Sequence, residues 1–348
     1  MNRSLQDVSP AQPTRVPHEL LAALQRSSSP VVIAHVVPDA DALGSMLATA
    51  LALTCEHAKP MVSLPQGSLS QKLAFMVEIA SPRIATPKDF ATADLFIVLD
   101  TAGKDRCNVG PHLKETDWSA GRPVLNIDHH QTNTRFGTVN WIEPLASSTC
   151  ELVYHLLRAC PLPISPTMAS LLYAGLFTDT IGFSLPSTTS SSLRAAADLV
   201  ELGANVGDLG ERIFRSQKKS EFDLLRVIYD NAKIVGNGQV AYSSASFDEI
   251  RDAGCTAADI DDQINVPRSL DGVRLAMLFS EGKKGRTRIN FRSSGSVMVT
   301  DLAAEFGGGG HAQASGAILD CGLQQAIDKV VPQAIEYMKK FASLRTLQ

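Results

Sequence analysis

Three short apolar runs, Val31–Ala34, Leu95–Leu99 and Val124–Ile127, restrict the architecture open to this chain more than any other feature. Helical patterns stand among them: Ala42–Thr54, rich in Ala, Leu and Met, and Cys150–Ala159, with a further one at Thr167–Leu176. Strands this short alternating with helices predict a largely parallel sheet with helices on its faces.

The second half changes character. From Ser187 to about Ile234 the periodicity is helical, with Lys218, Lys219 and Glu221 on a solvated face. Strand patterns return at Val240–Ser246, Val273–Phe279 and Thr287–Arg292, with a helix near Val299–Glu305 and a last one near Gln324–Phe341. The expectation is an α/β protein of two domains, which suits 348 residues. Its parts are a disordered tail over 1–16, a larger domain with a mainly parallel sheet over 17–190, a helical linker over 191–235 and a smaller α/β domain over 236–348. A cleft between two domains is a usual place for a ligand.

Charge narrows the partners. Lys and Arg number 32 against 36 Asp and Glu, a net charge of −4, so the broad basic field that long nucleic acids attract is missing and any nucleic-acid substrate should be short. No apolar run approaches the roughly 18 residues of a spanning helix, and the first 17 residues lack the apolar core of a secretory signal, so no membrane partner is expected. Six scattered cysteines without a C-x-x-C pair fit neither a zinc cluster nor a redox motif; reduced thiols in a cytoplasm are expected.

In an open parallel sheet ligands gather beyond the carboxyl ends of the strands. Here those ends are Asp and His. The first run leads into His35-Val36-Val37-Pro38-Asp39-Ala40-Asp41, the second into Asp100, the third into Asp128-His129-His130, and Asp179 follows the Thr167–Leu176 pattern. A lone Asp in such a place is usually a helix cap or a turn residue, and capping can account for one of Asp39 and Asp41 but not both. The conjunction is what points to a metal centre. Carboxylate and imidazole without cysteine suit Mn²⁺ or Mg²⁺. Asp39, Asp41, Asp100 and Asp179 carry four negative charges, which two divalent ions would match, and without metal they would repel one another. A two-metal site can activate water and clamp a phosphate for in-line attack, so the implied reaction is phosphoester hydrolysis.

With these residues in place the chain resembles the DHH phosphoesterase family. Asp128-His129-His130 is the eponymous motif, with Asn133 beyond it; His35 to Ser45, Val98-Leu99-Asp100 and Phe177-Thr178-Asp179-Thr180 are similar to its companions. The resemblance implies one metal held by His35, Asp39 and Asp100 and another by Asp41, Asp100, His129 and Asp179, Mn²⁺ ahead of Mg²⁺. It implies His130 facing the scissile phosphate, Asp128 supporting the histidines, and Asn133 in the same catalytic group. Arg288 to Ser294 followed by Phe306-Gly307-Gly308-Gly309-Gly310-His311-Ala312 resembles the DHH-associated C-terminal domain. There Gly308, Gly309, Gly310 and His311 would approach a phosphate in a tight ordered loop, and Arg292, Ser293 and Arg288 would contact substrate. The fourth motif departs from the pattern Asp-Thr-Gly-x-Phe-Arg: this chain reads Asp179-Thr180-Ile181-Gly182-Phe183-Ser184, with the glycine displaced and the arginine gone, which puts that loop's substrate contacts in question.

Two domains without additions resemble the cytoplasmic nano-RNase branch, which also dephosphorylates 3′-phosphoadenosine 5′-phosphate (pAp). The expected substrates are short oligoribonucleotides and nucleotide bisphosphates, and the family makes a homodimer the expected assembly. The alternatives are hydrolysis of cyclic or linear dinucleotides such as cyclic di-AMP, a manganese-dependent inorganic pyrophosphatase, and a non-catalytic nucleotide sensor. The pyrophosphatase fits less well because of the Gly-rich His segment, and the sensor because no ligand is missing.

Overall fold

The computed structural model describes residues 15–55, 58–65, 69, 71–110, 118–160, 163–256 and 259–345. Residues 1–14 of the expected tail lie outside the described residues. The chain divides into two compact units, Met1–Ser216 and Gln217–Gln348.

The first unit is built from α1 (His18–Arg26), β1 (Pro30–Ile33), α2 (Ala40–Cys55), β2 (Met61–Ser63), α3 (Ala74–Ala80), α4 (Pro87–Thr92), β3 (Leu95–Leu99), β4 (Val124–Asp128), β5 (Val139–Ile142), α5 (Thr149–Ala159), α6 (Pro166–Asp179), α7 (Ser190–Glu201) and α8 (Val206–Phe214). Among the described residues its sheet has the order β2-β1-β3-β4-β5, and every pairing is parallel. Both faces are covered, which is why the strands read as continuous apolar runs. Val32, Ile97 and Leu125 point into a core shared with α2, α5 and α6, while Val31, Phe96, Val98 and Val124 face a second core with Phe90 and Trp118. The chain leaves β1 for β2 on one side and then crosses to β3 on the other, so the order reverses between β1 and β3. That reversal opens a crevice at the strands' carboxyl ends.

Helix α2 crosses this unit as its central element, buried on all sides at most positions. It lies against α5 and α6 at a distance that only small residues allow. A Cβ on Gly175 of α6 would fall 2.3 Å from Cys150 Sγ and 2.9 Å from Asp41 Cα, and one on Gly44 of α2 would fall 2.4 Å from the Leu171 carbonyl oxygen.

The second unit contains α9 (Lys219–Asp230), β6 (Lys233–Val235), β7 (Val240–Ala245), α10 (Phe247–Asp252), α11 (Asn265–Arg268), β8 (Leu275–Lys283), β9 (Arg286–Ser293), α12 (Val299–Ala304), β10 (Gly309–His311), β11 (Ala314–Leu319) and α13 (Leu323–Arg345). Its sheet runs β10-β11-β9-β8-β7-β6, antiparallel except for β7 with β8. Helices α12 and α13 cover Met277, Phe279, Ile289 and Phe291 on one face, and α9 to α11 cover Ala276 and Leu278 on the other. Ser246, expected to close a strand, instead caps α10 by accepting from the Glu249 N–H, which shortens β7. The helical stretch after Ser187 divides: α7 and α8 belong to the first unit and α9 to the second.

The glycine run is also partitioned. The Gly307 and Gly308 N–H groups donate to the carbonyls of Ala304 and Ala303, closing α12 with Gly307 at φ +72°. Gly309 and Gly310 are not loop residues but open β10, where a Cβ on Gly310 would lie 2.6 Å from the Ala314 carbonyl oxygen.

Candidate metal centre

Three adjacent strands and two helices deliver the Asp and His residues to one place. His35 follows β1 and Asp100 follows β3; Asp128 ends β4 and is followed by His129 and His130, Asp179 ends α6, and Asp39 and Asp41 sit at the start of α2. Asp39 behaves as the cap that local sequence chemistry expects: its Oδ1 accepts the Asp41 and Ala42 N–H groups at 3.0 Å each. Asp41 is tied elsewhere. Its two carboxylate oxygens accept the N–H groups of Thr149 at 2.7 Å and Cys150 at 2.8 Å, the first residues of α5. It is an anion at a helix N-terminus, where backbone donors and the helix dipole favour negative charge.

Asp100 is the hub. It adopts a left-handed backbone, φ +51°, rarely taken by a residue with a side chain, and its carboxylate accepts from the Thr149 hydroxyl at 3.0 Å. The Nε2 atoms of His35 and His129 and the Nδ1 of His130 each stand 3.6 Å from its oxygens. His129 Nε2 is also 3.6 Å from Asp179 Oδ2 and 3.9 Å from Asp41 Oδ2. These gaps are too long for hydrogen bonds. They are close to the roughly 3–3.6 Å between two ligands that share an ion at about 2.0–2.2 Å. Donor atoms lie within 4.8 Å of one another in each of three sets: His35, Asp39 and Asp100; Asp41, His129 and Asp179; and Asp100, His129 and His130. The third set competes with a bond already made, since His130 Nδ1 is 2.6 Å from Asp128 Oδ1. Oxygen and imidazole donors grouped this way fit a pair of divalent cations sharing Asp100.

Electrostatics agree with that fit. Burial pushes the Asp41 carboxyl well above the usual range, and Asp100, Asp179 and Asp39 push it the same way. Burial also brings Asp179 to about 6, with Asp100 adding and His129 opposing. Burial works against the charge of Asp100 too, but His35, His130 and His129 outweigh it and hold its carboxyl below the usual range. The hydrogen bond to Asp128 raises His130 to about 9. Asp128 itself is fully buried and also accepts from Asn133 Nδ2 at 2.6 Å, while Asn133 reaches the Thr101 carbonyl. His130 is therefore held through Nδ1, with Nε2 left to meet a ligand.

Thr149 and Cys150 were not legible as site residues. The available signal was Ser147-Ser148-Thr149 ahead of a helical pattern, a capping sequence whose N–H groups must go somewhere; Ser148 Oγ takes the Glu151 N–H, and Asp41 takes the two before it.

Beyond Asp179 the chain makes an uncommon turn: Ile181, Gly182 and Phe183 all have positive φ, at +47°, +63° and +63°. The turn is held by the Thr180 hydroxyl, which accepts the Phe183 N–H, and by Phe183 against Phe177 and Tyr173. Ile181 occupies the position where the resembled pattern has glycine, and the left-handed backbone explains that glycine.

In the second unit Arg288, Asn290 and Arg292 share one face of β9, with Arg288 Nε donating to Asn290 Oδ1 and Arg292 Nη1 to the Phe291 carbonyl. Ser293 is not with them. It is buried on the opposite face, and its hydroxyl donates to the Val297 carbonyl. Gly309 and Gly310 lie in β10, on the far side of β11 from β9, with the His311 backbone beside Ala314, whereas the Gly308 N–H is already committed to α12.

Residues 30–176 match the DHH family N-terminal domain, and residues 237–341 match the DHHA1 domain. The Bacillus subtilis protein named bifunctional oligoribonuclease and PAP phosphatase NrnA is 26% identical over 302 residues, covering 86% of this chain and 92% of its own. A Thermus thermophilus protein of the same name is 29% identical over 328 residues, 94% of each chain. The crystal structure of an exopolyphosphatase-related protein from Bacteroides fragilis is similar with a TM-score of 0.84 at 26% identity, over 93% of this chain and 96% of that one.

Proposed function

The chain belongs to the DHH family, and from that premise we propose a two-metal phosphoesterase that cleaves short oligoribonucleotides to mononucleotides and removes the 3′-phosphate of pAp. The observation that carries this reading is the pair of donor sets, His35/Asp39 and Asp41/His129/Asp179, arranged around Asp100. The relatives' names support the substrate class.

His35, Asp39 and Asp100 hold one ion in this proposal, and Asp41, Asp100, His129 and Asp179 the other, with Mn²⁺ ahead of Mg²⁺. Bound there, the ions supply charge neutralisation and a water of lowered pKa. The protein's own part begins with Asp128, which fixes the His130 ring so that its protonated Nε2 can donate to a phosphate oxygen. Asn133 holds Asp128 in turn. In the second unit Arg292 and Arg288 are the guanidinium groups proposed to contact substrate phosphate, and the Gly309–His311 segment is proposed to contribute backbone contacts. The proposal extends to a cytoplasmic homodimer; among the described residues no helix is long and apolar enough to cross a membrane.

The test is product analysis of the purified protein in Mn²⁺ against an RNA dinucleotide, a longer RNA, pAp, cyclic di-AMP and pyrophosphate. Mononucleotides from the dinucleotide and AMP from pAp are expected. Turnover of the cyclic dinucleotide alone, or of pyrophosphate alone, would overturn the reading.

A further inference from the structure

A cavity of about 300 Å³ lies in the first unit between α1, α2 and α5, at the opposite ends of α2 and α5 from the Asp and His cluster. Leu21, Leu24, Ala52, Leu53, Leu156 and Leu157 give it a largely apolar wall, and among the described residues no charged side chain lines it. Its volume falls at the small end of the range that ligand sites span.

Gln25 and Ser27 add polar groups to the wall, and the Ser27 hydroxyl donates to Asp94; Thr49 stands apart from them. Thr49 lines the cavity, is 2% exposed, and its hydroxyl has no hydrogen-bond partner among the described residues. A helical Ser or Thr ordinarily returns its hydroxyl to the carbonyl four residues back. On the same helix Ser45 does so to Asp41 at 2.7 Å and Thr54 to Ala50 at 2.9 Å. Thr49, midway between them, does not. A buried hydroxyl without a partner beside an apolar space is a site for a molecule that brings the missing partner with it.

We infer that this cavity binds a small neutral molecule of one or two rings, apolar except for one hydrogen-bonding group that meets Thr49. With no cation among its described lining residues, the wall offers no counter-charge to phosphates, nucleotides or carboxylates, so this ligand is of a different class from a substrate of the Asp and His cluster. Along α2, Thr49 lies eight residues from Asp41, about 12 Å by helical rise, which separates the two sites. Half-buried Cys160 also lines the cavity and supplies a chemical reporter.

The probe is 1-naphthol, titrated calorimetrically into the purified full chain, the Thr49→Val variant and the Ala52→Met variant. One-to-one binding to the wild type, at least fivefold weaker in Thr49→Val and lost in Ala52→Met, is expected. Bound 1-naphthol should also slow alkylation of Cys160 by iodoacetamide, read by peptide mass mapping, at least threefold. Should Ala52→Met fail to fold, Thr49→Val, which keeps the side chain's shape, and the Cys160 reaction carry the test. No binding up to the solubility of the probe, or equal affinity in the wild type and Thr49→Val, would overturn the inference.

Discussion

Asp41 and Asp179 face the same histidine from opposite ends of two helices, and the protein treats them differently. Asp41 stands at the start of α2 and receives the first N–H groups of α5. Asp179 is the last residue of α6, where the helix dipole presents negative charge, and among the described residues no hydrogen bond supports it. One carboxylate is partly neutralised by backbone; the other depends on whatever cation arrives. The difference shows how a cluster can be rigid and still suit a cation: the fold fixes one side and leaves the charge of the other uncompensated.

That contrast can be broken outright. Asp41→Asn and Asp179→Asn should each lower Mn²⁺-dependent hydrolysis by about 10³-fold or more, because each removes a charge that several kcal/mol of transition-state stabilisation depends on. Steady-state kinetics on a dinucleotide checks this, and near-wild-type rates in either variant would refute the ligand assignment.

Metal addition sharpens the comparison next. At about 100 times its dissociation constant, Mn²⁺ should stabilise the wild type by about 2.7 kcal/mol in thermal or denaturant unfolding. Most of that gain should vanish in Asp100→Asn, which serves both donor sets.

Without metal the two carboxylates should separate. Asp179→Asn should stabilise the chelated protein by about 1 kcal/mol, by removing a charge opposed by both the dipole and its neighbours. Asp41→Asn should not, since its NH2 replaces one of the two oxygens that accept the buried Thr149 and Cys150 N–H groups and leaves one of them without an acceptor. The pH dependence has a definite sign. Asp179, raised from 3.8 to about 6, binds its proton more tightly in the folded state, so its contribution improves as pH falls through 6 toward 4 and is lost above. His130, raised from 6.5 to about 9, adds stability that is complete below 6.5 and lost as pH climbs through 9. The metal-free protein should therefore lose stability steadily from about pH 4 to 9, and Mn²⁺ should flatten the curve; a flat curve in chelator would contradict both assignments.

The smallest effect concerns the turn after Asp179. Ile181→Gly should stabilise the protein by about 0.5 kcal/mol, since relief of a left-handed strain of about 1–2 kcal/mol is offset in part by glycine's greater unfolded-state entropy, about 0.5–1 kcal/mol. Denaturant midpoints are sensitive enough to decide.

Much of the site was legible because its residues cluster beside patterns that local chemistry dictates. His35 and Asp100 follow apolar runs, Asp128 ends one, and a parallel sheet brings such ends together without further information. The thin elements were less legible. Strand β2 has three residues, and β5 begins with the half-exposed Val139 and Asn140, so neither shows a clear apolar run. The tie from Asp41 to Thr149 and Cys150 spans more than a hundred residues and involves backbone donors, which no side-chain pattern announces. Ser293 shows the converse: it adjoins Arg292, but the two-residue period of β9 sends them to opposite faces. Composition makes the glycine run look like one loop, because it cannot tell a helix stop from a strand start.

Thirteen of the sixteen residues of α2 are buried, so its amide hydrogens can meet solvent deuterium only when most of the unit opens. The amides from Thr180 to Ser184, in a turn with exposed Ile181, need only a local fluctuation. An exchange experiment would then find slower protons along α2 than in this hydrogen-bonded turn, the two lying on either side of a single histidine. The side of the cluster that Asp179 supplies would then be the more yielding one, and the side that Asp41 supplies the firmer.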